Sequence, residues 1–532
     1  MRKTLFFIMA FVMLLPMKLL SHAAAGSLPF DDIRNNYATA AIIQMSNNKI
    51  ITGTGLRTFE PDKPITRAEF VTMLDRLLDI EPVSSAVQTF ADVPKSAWFY
   101  PWVQPAIQLN LVNGVSDERF EPARTVTREE AAVLLSRALK QLSLAITDVP
   151  ESLYQDQNDI HSWALSSVFR MHALGMMEGD DGSFRPRDSM TRQEAAVIMN
   201  RVWTRPGWAD QLRSSPPAII QLGWQYGQTT TQFERQIETS NVNTLSPRWF
   251  FLGNSGTLEI EIDPTLVAWA HRNGRQVWAM VGNRSDSANT HAMLTDSSQR
   301  LAFIHQLSAQ VKQYGIDGLN IDFENMLPED RDAFTSFVSE LHTAMSSLSA
   351  VLSINVSPDF GTDWTSGFDY VALGNRAEYV VLMGYDEHWG GSPIPGSVSS
   401  LPWLRQGLET LLANVPARKV ILALPLYTRQ WAVDLTGQVN SLDWSLVQQN
   451  AAVSAHRLKP IWDERIGQYY TQYSESSALN RIWMEEGRSL AGKMMLGESY
   501  SLAGYGYWYM GGENVEVWAS LRNAMKFSSY SF

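Results

Sequence analysis

The chain is 532 residues long, carries a formal charge of −12 and contains no cysteine. At roughly 100–200 residues per domain it makes two to four domains, and its acidity argues against phosphate neutralisation, so nucleic-acid binding is set aside. The missing cysteine excludes disulfides, thiolate metal sites and thiol nucleophiles, which leaves oxygen, imidazole and aromatic faces for chemistry.

Residues 1–25 read as a secretory signal. Arg2 and Lys3 precede an apolar run from Leu5 to Met17, and Ala23, Ala24 and Ala25 offer a small-residue cleavage site. The run falls short of the roughly 20 residues of a membrane span, and Lys18 interrupts it. Its removal takes three cations and no acid from the −12 total, leaving a mature charge of −15.

A threefold repeat follows, expected over 27–81, 86–144 and 150–205. Phe59-Glu60-Pro61, Phe120-Glu121-Pro122 and Phe184-Arg185-Pro186 each precede a Thr-Arg-x-Glu motif, at Thr66, Thr127 and Thr191. An Asp lies upstream of each copy (Asp32, Asp92, Asp156), with Tyr37, Trp98 and Trp163 on the intervening helical stretches. Thr with Glu three residues later, before an apolar run, is a capping box opening an amphipathic helix. The spacing places Arg67, Arg128 and Arg192 at the first helical positions, where they are expected to be exposed beside anion-favouring N–H groups. These motifs resemble the S-layer homology domain in its usual set of three. The resemblance implies docking on an anionic secondary cell-wall polysaccharide of a Gram-positive envelope, through Arg67, Arg128 and Arg192. Repeat one departs by carrying Tyr37 in place of Trp, and repeat three by carrying Gln193.

Arg205-Pro206-Gly207 and Ser214-Ser215-Pro216-Pro217 bracket an expected linker over 206–217. Over 218–532, β-rich runs alternate with helical stretches. Strands are predicted near 219–224, 244–251, 277–281, 318–323, 351–356, 380–383, 420–424 and 506–509, an α/β pattern that fits a (β/α)8 barrel with its chemistry at the strand C-termini. Residues 462–484 read as a small hairpin inserted before strand eight.

The fourth strand ends Asp317-Gly318-Leu319-Asn320-Ile321-Asp322-Phe323-Glu324. Side chains alternate along a strand, so Asn320, Asp322 and Glu324 share one face, while Asp317 has the wrong parity and is given a structural role. Two acids on a buried strand are costly unless used, and repulsion with desolvation should raise at least one pKa. Side chains two apart on one strand cannot straddle a sugar ring as a two-carboxylate hydrolase requires.

The octet resembles the Asp-Gly-x-Asp-x-Asp-x-Glu signature of glycoside hydrolase family 18, in the branch of spore-lytic and cell-wall N-acetylglucosaminidases. Met383-Gly384-Tyr385-Asp386, Pro425-Leu426-Tyr427-Thr428-Arg429, and Trp508 with Glu513 extend the match. The resemblance implies Glu324 as general acid and the substrate's own 2-acetamido oxygen as nucleophile, with Asp322 orienting the acetamido group. It further implies Tyr385 bonding the acetamido carbonyl, Asp386 contacting sugar and Trp508 flooring the ring, unless Trp508 packs in the core. Asn320 stands where the general signature has Asp; it is placed among the substrate-binding residues, and its amide is expected to bond Asp322. Tyr427 and Arg429 either line the cleft or, for the Arg, sit satisfied at the surface; His388 either bonds substrate or packs its loop. No cofactor or metal is expected. The expected protein is an exported, wall-attached glycosidase acting on peptidoglycan glycan or chitin-like chains. The alternatives are a chitinase acting on external chitin, a non-hydrolytic amino-sugar lectin, and a structural S-layer subunit, the last two at odds with the retained site residues.

Overall fold

In the computed structural model, which describes residues 28–34, 37–141 and 153–532, each Thr-Arg-x-Glu motif opens a helix with a reciprocal capping box. These helices are Arg67–Leu77, Arg128–Ala138 and Arg192–Thr204. The expected signal segment lies outside the described residues. The upstream acids close each repeat by accepting two backbone N–H bonds across the Phe-x-Pro turn: Asp92 from Phe120 (2.9 Å) and Glu121 (2.8 Å), Asp156 from Phe184 (2.8 Å) and Arg185 (2.7 Å), and Asp32 likewise from Phe59 and Glu60. The three repeats then join in a ring, with Ile65 N bonding Met190 O, Met190 N bonding Val126 O and Val126 N bonding Ile65 O.

This ring corrects the expectation of exposed arginines. Arg67, Arg128 and Arg192 are buried, at 6%, 6% and 2% exposure. Their backbone N–H groups, and those of the residues after them, donate to carbonyls of a neighbouring repeat, so the helix starts are not open to anions. Each guanidinium lies over the Phe of that repeat (Phe120, Phe184 and Phe59), and its Nε donates to that Phe's carbonyl at 2.8–3.0 Å. The arginines therefore tie repeat to repeat.

The expected linker is also not a free spacer. Trp208–Arg213 is helical, and buried Trp208 packs under Arg205 and against Phe532. The C-terminal helix Glu516–Ser529 docks on the repeats: Arg522 forks onto Glu81 (2.7 and 2.7 Å), Lys140 donates to the Ser528 and Tyr530 carbonyls, and Tyr530 donates to Leu78 O.

The barrel uses β1 (Ile220–Gln225), β2 (Thr244–Leu252), β4 (Gln276–Gly282), β5 (Gly318–Asp322), β6 (Val351–Val356), β7 (Tyr379–Met383), β8 (Val420–Pro425) and β14 (Gly504–Trp508), with the short β3 (Leu258–Ile260) antiparallel on β2. Parallel pairing runs from β1 through β2, β4, β5, β6, β7, β8 and β14 back to β1, closing the sheet. Alternation sorts the core. Leu222, Trp224, Trp278, Met280, Val381, Met383, Ile421 and Ala423 fill the barrel interior, while Val277, Ala279, Leu319, Ile321 and Leu352 pack under the helices. Gly506 is required by Trp224, since a Cβ there would lie 2.8 Å from the indole.

The expected hairpin is part of a larger insertion. β9 (Tyr427–Asp434), β10 (Val439–Ser445), β11 (Ile461–Asp463), β12 (Gln468–Glu475) and β13 (Ala478–Met484) form an antiparallel sheet in the order β10-β9-β13-β12-β11. Behind it, Lys493 and Glu485 form a buried ion pair, with Gln468 and Ser489 also donating to Glu485.

Candidate active site

Asp322 ends β5 and Glu324 lies two residues further, at the barrel face where the strands terminate. Asn283, just past β4, clamps the Glu324 backbone: its Oδ1 accepts from Glu324 N (3.0 Å) and its Nδ2 donates to Glu324 O (2.8 Å). Ser285 donates to Glu324 Oε2 at 3.2 Å. Burial, and then the neighbouring Asp322 charge, push the Glu324 carboxyl up to about 7. Asp322 is also raised, by burial, against the Asn355 amide that donates to its Oδ1 at 2.9 Å. A buried carboxyl held protonated near neutrality beside a second, hydrogen-bonded carboxyl is an arrangement that can supply an acid and a charge stabiliser.

Asn320 departs from expectation. It is fully buried, and its amide is occupied within the barrel: Oδ1 accepts from Trp224 Nε1 (2.9 Å), and Nδ2 donates to Ser353 Oγ (3.0 Å) and Asn355 Oδ1 (2.7 Å). It reaches Asp322 only through Asn355, so it holds the network from below and is neither a direct partner of Asp322 nor a sugar contact. Its wholly buried position on β5, one layer beneath the mouth, is the physical reason.

Tyr385 is buried facing Asp322, Asp386 and Glu324; burial first, and then these charges, hold its phenol protonated. Trp508 is part-exposed and joins an aromatic group, its ring 6.5 Å from Tyr385, 5.9 Å from Trp224 and 5.6 Å from Tyr226. Asp386 accepts from Tyr427 OH (2.6 Å) and Arg429 Nη1 (2.8 Å). Arg429 is only 5% exposed and also contacts the His388 carbonyl and Asp443, so it is no surface residue but fastens the insertion to the barrel mouth. His388 packs its loop through Nδ1 and the Ser397 carbonyl. Asp317 keeps its structural role, bonding Val277 N and His271.

Sequence reasoning missed Asn283, Ser285, Asn355 and Arg248. Strand parity could have found Ser246 and Arg248 on β2 and Ser353 and Asn355 on β6, because each pair alternates onto the inward face.

The family model for glycosyl hydrolases family 18 matches residues 233–513, more than half of the chain. The chain belongs to that family. The S-layer homology domain model matches 29–71, 89–132 and 153–196, so this family 18 hydrolase carries three cell-surface attachment modules. Among curated relatives, the uncharacterized glycosylase YvbX of Bacillus subtilis is 24% identical over 58% of this chain and 92% of its own. The cortical fragment-lytic enzyme of B. subtilis is 26% identical over 43% of this chain, which spans only 54% of that relative. A chitinase from Chromobacterium violaceum has the same fold, with a TM-score of 0.53 at 22% identity over 58% of this chain and 99% of its own. Among the described residues no helix is long and apolar enough to cross a membrane.

In the repeat unit a groove of about 320 Å³ lies between repeats one, two and three, lined by Thr52, Glu69, Arg76, Trp98 and Arg192. Arg192 sits at its base, bonded to Glu69 Oε1 (2.9 Å) and Thr52 O (2.7 Å). Trp98, at 58% exposure, stands at its rim. Trp163 and Tyr37 are the corresponding exposed aromatics of the other two copies.

Proposed function

We propose that the chain hydrolyses β-1,4 bonds beside N-acetylglucosamine with net retention, while its repeats hold it on a cell-wall polysaccharide after export. The observation that carries this reading is the carboxyl pair: Glu324 raised to about 7 and Asp322 hydrogen-bonded by Asn355, both facing Tyr385. Glu324 gives its proton to the glycosidic oxygen as the C1–O bond breaks. The acetamido oxygen of the same sugar attacks C1 and forms an oxazolinium ring, whose N–H Asp322 accepts. Water then adds to C1, returning its proton to Glu324 and opening the ring. A substrate-assisted route of this kind is a known exception to the two-carboxylate mechanisms, and it requires only one face of the sugar to meet protein acids. Trp508 supplies the apolar floor, Tyr385 a donor for the acetamido oxygen, and Asp386, with Tyr427 and Arg429 behind it, a fixed acceptor.

Proton NMR of early products decides the stereochemistry. With the full chain and N-acetylglucosamine oligomers, the β-anomer should appear first and mutarotate later. Initial release of the α-anomer would exclude the acetamido route. Glu324 with its acid environment also opposes a purely sugar-binding role.

A further inference from the structure

A groove of about 750 Å³ opens beside the sugar floor, walled by the loop after β1 and by β2. Tyr226 connects the two: its ring lies 5.6 Å from Trp508, and the Arg248 guanidinium carbon is 4.9 Å from its centroid. Arg248 thus stands one aromatic ring away from Trp508, the proposed sugar floor. Phe251 supports it from beside, at 5.4 Å, and also carries Arg284 at 4.0 Å.

The other charges of this groove are already engaged. Glu261 pairs with Arg284 (3.5 Å), which also holds Glu259 (2.8 Å). Asp263 accepts from Thr230 Oγ1 (2.5 Å) and caps the next helix through Thr265 N (3.0 Å). Arg248 is different. Its guanidinium has no hydrogen bond or ion pair to any described residue, and its Nε is buried without an acceptor. Its charge acts on the catalytic-face acids Asp322 and Glu324, lowering both carboxyls. A guanidinium held over two aromatic rings, with its buried Nε lacking an acceptor, is incompletely satisfied, and its planar fork matches a carboxylate.

We propose that Arg248 receives a carboxylate carried on the glycan next to the cleaved bond. The substrate class is then an amino-sugar chain bearing ether-linked acids: the lactyl groups of peptidoglycan, free where an amide hydrolysis has already removed the stem peptide. Uncharged chitin leaves the fork empty. This rests on the hydrolase reading above and narrows it.

The test uses the full chain and three soluble substrates of matched length: peptide-free peptidoglycan strands, the same strands with their carboxyls converted to neutral methylamides, and chitin oligomers. The unaltered protein should lose about tenfold or more in kcat/KM on amidation, mainly through KM, as expected for one charged hydrogen-bonded pair. Arg248→Gln should erase that discrimination, and Arg248→Lys should retain part of it. Indifference of the unaltered protein to amidation overturns the proposal without recourse to any variant. A uniform loss on all three substrates with Arg248→Gln, accompanied by a shifted pH profile, also overturns it, since Arg248 would then only tune the acid pair. Cleavage of none of the three overturns the hydrolase reading and this proposal with it, whereas equal cleavage overturns this proposal alone.

Discussion

Glu324 shows how much one side chain's behaviour depends on its surroundings. Its carboxyl sits near 7 because burial and Asp322 disfavour the anion. The acid form is therefore present below about 7, and turnover should fall as pH rises through that value; a profile flat from pH 6 to 9 would contradict the assignment. The same environment works against folding. A carboxyl raised from 4.5 to about 7 favours the native state at low pH, and that contribution is lost as pH rises through 7, to the extent of about 3 kcal/mol. Glu324→Gln should accordingly lose about 10²–10⁴ in turnover while still binding glycan. The variant should also unfold at a higher temperature than the parent at pH 8, with the gap closing toward pH 5. Of these properties, the pairing of Asp322 with Glu324 and the raised acid were legible from alternation along one strand. Asn355 and Ser285 were not, because they lie 31 residues after and 39 residues before Glu324 along the chain, and only barrel closure brings them there.

At the scale of elements, the S-layer homology repeats are stabilised by one acid each, closing a turn from far upstream. Asp92 satisfies two backbone donors at once, and without it Phe120 N and Glu121 N have no acceptor in a largely buried turn. Asp92→Ala should cost about 2–4 kcal/mol, read as a lower denaturant midpoint with an unchanged slope. Asp92→Asn, which keeps an acceptor, should recover part of it. The recurrence of Asp was visible in the sequence, but its target was not, since the bond spans 28 residues. The capping boxes were readable outright because both partners sit within four residues. The small hairpin, by contrast, grew into a five-stranded sheet: β9 follows β8 directly, β10 is mostly polar and β11 is only three residues long, so each gives a weak local signal.

Across the whole molecule, the repeats and the barrel are packed against each other. Glu81 and Arg522, Lys140 and the Tyr530 carbonyl, and Thr89 and Tyr469 all cross between them. A wall-bound repeat unit would thus present the barrel mouth in a set orientation rather than on a tether. If the repeat grooves hold the wall polymer, replacing exposed Tyr37, Trp98 and Trp163 together by Ala should release the protein from purified Gram-positive cell walls in a sedimentation assay. Activity on soluble oligomers should stay unchanged, since these residues lie on the repeat unit. Retention on the walls would remove the grooves as the anchoring site.

By itself the sequence determined what depends on near neighbours: three capping boxes, the repeat, strand alternation around Asn320, Asp322 and Glu324, and the order of strand-end motifs that mark a family 18 barrel. The tertiary structure alone decided which groups meet. It buried Arg67, Arg128 and Arg192 against carbonyls 53, 56 and 133 residues away, sank Asn320 beneath the site it was expected to touch, and left the Arg248 Nε without an acceptor among the described residues. A short motif fixes local geometry through bonds of three or four residues. Burial and charge pairing are settled only when distant segments close around a side chain, and no local spacing encodes that.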